Sequence, residues 1–226
     1  MAKLAIIDNS LWPEIYNPVE HWTAWVNLPH RSFRAVDGYL PDLDDGFTHL
    51  ILTGSEASIL NLEPWVLAEV SLVQEAVERN LTVLGSCYGH QLLALALAGP
   101  GSIRRAEVPE IGWIEVELLK KDPLLGEPGR IMVFSSHYDE VCHLDENRFE
   151  ILASSRHCQI QAFRLKGKSV WGLQAHPEIE PSSAVKLLRG ILEKGFPGRE
   201  LIEQALNSNP QDDGWIRTIS RNFIAL

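Results

Sequence analysis

Residues 84–91 read Leu84-Gly-Ser-Cys-Tyr-Gly-His-Gln91, and the fold turns on them. The apolar run just before, residues 81–84, has the length and branching of a buried strand. Residues 90–98 are apolar enough for a helix that Gly99-Pro100 closes. A glycine stands on each side of the cysteine, Gly85 and Gly89, so the chain can turn sharply from strand to helix and lift Cys87 out of the sheet.

Upstream, residues 4–7 and 49–53 are apolar runs stopped by Asp8-Asn9-Ser10 and Gly54-Ser55, and residues 32–36 alternate weakly. Across residues 63–80, Val66, Val70, Val73 and Val77 recur at helical spacing, with Pro64 where a first turn tolerates it. Strands alternating with helices predict a parallel sheet covered on both faces. Downstream, residues 111–119, 130–134, 149–153, 160–165 and 169–173 are β-rich, and Lys166-Gly-Lys168 forms a hairpin turn between the last two. Residues 181–194 return to helical spacing, and residues 199–226 hold two more helices broken by Asn209-Pro210 and Asp212-Asp-Gly214. The expected architecture is one α/β domain over residues 1–226. It has a mostly parallel sheet with helices on both faces, a small antiparallel insertion after the fourth strand, and a helical extension from about residue 197.

The 226 residues are 45% hydrophobic and 22% charged, as expected for one globular domain, and the net charge of −10 opposes any grip on phosphate backbones. Neither nucleic acid nor a membrane is an expected partner, since no apolar run reaches the roughly 18 residues of a spanning helix. The start, Met1-Ala-Lys-Leu-Ala-Ile-Ile-Asp8, has a strand's length of apolar residues and not a signal peptide's, so a cytoplasmic location is expected. Cys87, Cys142 and Cys158 fit neither a disulfide framework nor a zinc pattern, and no metal or cofactor is expected.

Cys87 at a helix N-terminus meets the positive end of the helix dipole, which favours the thiolate that attacks carbonyl carbon. The backbone N–H of Tyr88 points where an oxyanion would form. A base for this thiol lies in Gly172-Leu-Gln-Ala-His-Pro-Glu178, because residues two apart at a strand end project to one side. Glu178 can then orient the imidazole of His176 toward sulfur. Gly54, Cys87 and His176 each follow a predicted strand, where open α/β sheets collect functional residues.

Gly85-Ser-Cys87-Tyr-Gly89-His-Gln91 and His176-Pro-Glu178 resemble the elbow and the late His-Pro-Glu of the class I glutamine amidotransferases, at the family's separation of about ninety residues. The resemblance implies a flavodoxin-like sheet and a triad of Cys87, His176 and Glu178 that releases ammonia from glutamine through a γ-glutamyl thioester. It also implies an oxyanion hole from the amides of Gly54 and Tyr88. Gln91 would seat the substrate, and Ser136-His137-Tyr138 would be a loop whose backbone clasps the substrate's α-amino and carboxylate groups. Thr53 and Ser55 depart from the Gly and Pro that usually flank Gly54.

No phosphate loop or ATP-binding synthetase is legible, so two readings stand: a glutaminase subunit feeding a separate ammonia-accepting synthase, or a stand-alone hydrolase of γ-glutamyl peptides. A redox or stress protein using a reactive elbow cysteine is the alternative from another class. Gln91 and His-Pro-Glu weigh against it, since peroxide chemistry needs neither a glutamine seat nor an acyl-transfer base.

Overall fold

In the computed structural model, which describes residues 2–226, side chains of the inner strands alternate between two apolar faces. Strand β1 (Leu4–Asp8) sends Ala5 and Ile7 into one core and Leu4 and Ile6 into the other. A short helix, α1 (Pro18–Thr23), starts at Asn17, whose side chain accepts the Glu20 N–H, with Pro18 in the first turn. Strand β2 (His30–Arg34) is an exposed edge that carries Arg31 and Arg34, charges that discourage pairing with another chain. Strand β3 (His49–Leu52) is buried on both faces. Helix α2 (Val66–Glu78) begins after Pro64 and not around it, and buries Val66, Leu72, Val73, Ala76 and Val77.

Strand β4 (Thr82–Ser86) leads through Cys87 directly into helix α3 (Tyr88–Ala98), which starts two residues earlier than the periodicity predicts. The antiparallel insertion follows as β5 (Ile103–Leu118), β6 (Gly129–Val141), β7 (Phe149–Ser155) and β8 (Ala162–Leu165). Strand β9 (Val170–Leu173) returns beside β4, and helices α4 (Pro181–Glu193), α5 (Arg199–Asn207) and α6 (Ile216–Ala225) end the chain.

The nine strands of the described residues form one sheet in the order β2-β1-β3-β4-β9-β8-β7-β5-β6. The first five are parallel neighbours and the rest antiparallel, so the insertion extends the sheet instead of forming a separate one. Its first two strands far exceed the expected lengths. Strand β6 runs through Ser136-His137-Tyr138, which the family pattern leads one to expect in a loop.

Helices α2 and α3 cover one face of the parallel half, and α1 and α6 cover the other, where Trp22, Ile219 and Phe223 are fully buried against Leu4, Ile6 and Ile51. The C-terminal extension is therefore part of the core packing. His49 Nε2 lies 3.1 Å from the carbonyl oxygen of Phe223, and Trp215 donates to the Leu125 carbonyl at 3.1 Å. This is a flavodoxin-like α/β arrangement, with the C-terminal edges of β3, β4 and β9 side by side.

Both glycines of the elbow are required by contact. A Cβ on Gly85 would meet the Gly89 carbonyl, and a Cβ on Gly89 would meet the Leu52 carbonyl on β3. Gly89→Ala should destabilise the chain by about 1–3 kcal/mol through overpacking, a loss of roughly 2–4 °C in Tm per kcal/mol for a chain of this size. Gly101→Ala, which meets nothing within 4 Å, should stay within about 0.5 kcal/mol in the same melts.

Candidate active site

Cys87 has φ 49° and ψ −104°, a left-handed conformation that a residue with a side chain rarely adopts. The strain is held from three sides: Cys87 N–H donates to the Leu173 carbonyl on β9 at 2.8 Å, Gly89 N–H to the Thr53 carbonyl at 3.1 Å, and Gln91 N–H to the Cys87 carbonyl at 3.1 Å. Sγ lies 3.8 Å from the Ser136 carbonyl oxygen. Tyr88 is the first residue of α3, so no helical carbonyl accepts its amide.

His176 follows β9 by three residues and is anchored by its N–H on the Phe134 carbonyl at 2.8 Å. Its Nδ1 is 2.8 Å from Glu178 Oε1, which leaves Nε2 for the thiol. Burial opposes charge on this imidazole, but the negative charges of Glu178 and Cys87 and the hydrogen bonds to both outweigh it and push His176 up to about 10. Glu178 is fully buried, which disfavours its charge, yet His176 and hydrogen bonds hold it below the ordinary carboxylate range.

Two donors to Glu178 escaped the sequence reading. Tyr16, in the loop after β1, donates to Oε1 at 3.0 Å, and Ser86 reaches both oxygens at 3.3–3.4 Å. Tyr16 also sets its ring edge-on against His176, with centroids 5.7 Å apart. No local pattern could announce a partner 162 residues away. Ser86 stands inside the elbow, and its small hydroxyl next to the nucleophile was the available signal.

Gly54 is fixed by proximity, because a Cβ there would lie 2.6 Å from His176 Cε1. The unusual neighbours shape its loop with hydroxyls: Thr53 Oγ1 accepts the Asn9 N–H at 3.0 Å and donates to the Gly54 carbonyl at 3.1 Å, and Ser55 Oγ accepts the Ala57 N–H at 3.0 Å.

A cavity of about 300 Å³ opens over Cys87 and His176, and Tyr88, Gln91, Ser136, His137 and Tyr138 line it too. Gln91 is buried, donating to the Asp139 carbonyl at 2.8 Å and to Gln174 Oε1 at 3.3 Å, so its amide braces the pocket floor. The His137 ring is buried, with Nδ1 3.1 Å from the Asp139 carbonyl oxygen and Nε2 3.1 Å from Glu110 Oε2. Gln161 and Ser155 donate to the same Glu110 at 2.6 and 2.7 Å, and this network pins β6 behind the pocket. Tyr138 donates to the Pro197 carbonyl at 2.8 Å. Among the described residues no group of three or more His, Cys, Asp or Glu is arranged to hold a metal ion, and no helix is long and apolar enough to cross a membrane.

Glu56 also borders the cavity. Its Oε2 accepts the Leu11 N–H at 2.7 Å, and burial raises its pKa to about 7. A carboxyl raised in the folded state stabilises fully below its unfolded pKa near 4.5 and loses that contribution as pH rises through about 7. Glu56→Gln should thus raise Tm by roughly a few degrees at pH 8 and hardly at all at pH 4, in melts across that range. Tyr16→Phe should lower Tm at every pH, since it takes a donor from a buried carboxylate at a cost of about 1.5–3 kcal/mol.

Residues 43–192 match the family model described as glutamine amidotransferase class-I. A glutamine-hydrolyzing GMP synthase subunit of Pyrococcus abyssi is 39% identical over 103 residues, 45% of this chain and 53% of that protein, so the chain matches about half the length of that curated relative. The protein of the same name from Thermoplasma acidophilum is 31% identical over 80% of this chain and 86% of its own length. Gamma-glutamyl peptidase 4 of Arabidopsis thaliana is 26% identical over 85% and 80%. Among solved structures, a glutamine amidotransferase from Thermotoga maritima superposes with a TM-score of 0.74 at 20% identity, covering 99% of this chain and 96% of that one.

Proposed function

Because the chain belongs to the class I glutamine amidotransferase family, we propose that it hydrolyses a γ-glutamyl amide through a thioester on Cys87. The observation that carries the reading is the fully buried Glu178, whose oxygens take hydrogen bonds from Tyr16, Ser86 and His176 and so hold the imidazole by Nδ1. A buried carboxylate so satisfied favours the imidazolium, the form that His176 takes once the thiol proton has moved to it.

In this mechanism the sulfur attacks the γ-carbonyl carbon and the amides of Gly54 and Tyr88 receive the oxyanion. His176 gives its proton to the departing nitrogen as the C–N bond breaks. Water then enters, His176 takes its proton, and the thioester opens to glutamate and free thiol. Gln91 from α3 and the Ser136-His137-Tyr138 backbone from β6 would hold the glutamyl head.

With glutamine the leaving group is ammonia. Two relatives bear the name of a glutamine-hydrolyzing GMP synthase subunit, which supports a second reading in which a separate synthase receives that ammonia. The purified chain, offered glutamine and γ-glutamyl peptides with glutamate and ammonia measured, separates the two. Turnover without a partner supports a hydrolase, and turnover that appears only with a fractionated extract supports the gated subunit. Cys87→Ala should abolish glutamate release. Glu178→Ala should lower kcat by about 10²–10⁴-fold, since it removes the group that orients the base. A glutamine-like chloroketone should label Cys87 irreversibly, with glutamine protecting. Full activity in Cys87→Ala would overturn the proposal.

A further inference from the structure

The cavity has two chemically different parts. Around Asp139 the wall is polar: Ser58 Oγ donates to it at 2.5 Å, Arg105 pairs with it at 2.9 Å, and Asn61 and Glu63 also line the space. This part suits the charged α-amino and carboxylate groups of a glutamyl head. Leu11, Leu187, Ile191, Phe196 and Pro197 supply an apolar part of the wall with no side-chain polar atom, while Tyr16, Ser55 and Glu56 line the cavity as well.

The apolar part is tied to the acid of the reaction. Tyr16 lies edge-on against His176, and Tyr16, Leu187, Ile191 and Phe196 belong to one apolar cluster. The nitrogen that leaves must sit beside the group that protonates it, so a substituent on that nitrogen enters this part. The wall is also fastened in place. Phe196 meets Trp12 edge-on with centroids 5.9 Å apart, Pro197 accepts the Tyr138 hydroxyl, and Leu11 is held by its N–H on Glu56. Ammonia has no substituent to fill such a space. Leu11, Phe196 and Pro197 all lie outside residues 43–192, so most of the wall is not supplied by the part of the chain that matches the family model.

Resting on the reading that Cys87 opens γ-glutamyl amides, we propose that this wall is a leaving-group subsite for an apolar substituent, and that the preferred substrate class is γ-glutamyl amides of aliphatic amines or apolar amino acids rather than glutamine. The reaction is γ-glutamyl-NH–R plus water giving glutamate and R–NH₂. The proton on His176 goes to the departing nitrogen, and water supplies the oxygen of the new carboxylate.

The test uses the full chain and a series of glutamine, γ-glutamyl ethylamide, γ-glutamyl isobutylamide and the polar control γ-glutamyl ethanolamide, with glutamate release giving kcat/KM. Isobutylamide should exceed glutamine by at least about tenfold, with ethanolamide well below isobutylamide, since each methylene in an apolar pocket is worth about tenfold or more. Phe196→Ala should shrink the isobutylamide-to-glutamine ratio several-fold. Leu11→Ala, a change on a half-buried loop, should do the same if loss of the Trp12 contact unfolds the first variant. A flat or falling series, or a ratio unchanged in folded variants, overturns the subsite while leaving the thioester mechanism standing. No glutamate from any member together with no chloroketone labelling of Cys87 overturns the mechanism, and the subsite with it.

Discussion

Everything in the site depends on one strained residue. Holding Cys87 at φ 49° costs on the order of 1–3 kcal/mol, and the strain persists because β9, the end of β3 and α3 each fix a neighbouring backbone group. Those bonds exist only if β4 lies between β3 and β9, which is its place in the sheet. Since Gly85 and Gly89 touch each other and Gly89 touches β3, the elbow can close only where two positions lack a Cβ. The same closure brings Gly54, at the end of β3, against the ring of His176.

The second constraint is the charge of Glu178. A carboxylate with no exposure is costly unless its oxygens are filled, and breaking a buried pair costs about 3–5 kcal/mol. Here the donors come from three distant parts of the chain: the loop after β1, the end of β4, and the segment beyond β9. Tyr16 therefore links placement of the N-terminal loop to the electrostatics of the base. Glu110 repeats the logic behind β6, where His137, Ser155 and Gln161 fill its oxygens and fix the strand that carries Ser136 and Tyr138.

The inner strands of the parallel half were legible because they are buried on both faces and so read as continuous apolar runs, ended by the polar residues of the site. Cys87, His176 and Glu178 were legible because their chemistry needs specific residue types at short spacing. The length of β6 was hidden for a physical reason. Ser135, His137, Asp139 and Glu140 look like solvated residues, yet they are buried, with His137 against Glu110, Asp139 against Ser58 and Arg105, and Glu140 against Arg104. Helix α1 was missed because it has six residues, too few for a period to show. Tyr16 was out of reach because its function lies in a contact across the whole chain, and the bounds of α2 and α3 moved because tertiary contacts, not periodicity, choose the first turn.

Reaction chemistry and recognition are built from parts with different freedom to change. The elbow and Glu178 are locked by backbone hydrogen bonds, by glycines with no spare volume and by a buried charge, so substitutions there cost about 1–3 kcal/mol or more. The outer wall at Leu11, Phe196 and Pro197 is held by the aromatic contacts of Phe196 with Trp12 and Tyr138 and by two hydrogen bonds, from the Leu11 N–H to Glu56 and from Tyr138 to the Pro197 carbonyl. A residue exchanged in that wall alters the volume offered to the leaving amine without moving Sγ or the imidazole. A fold with this division can keep one thioester mechanism and change the amine that it releases, because the strain that makes the nucleophile and the surface that reads the substrate are borne by separate contacts.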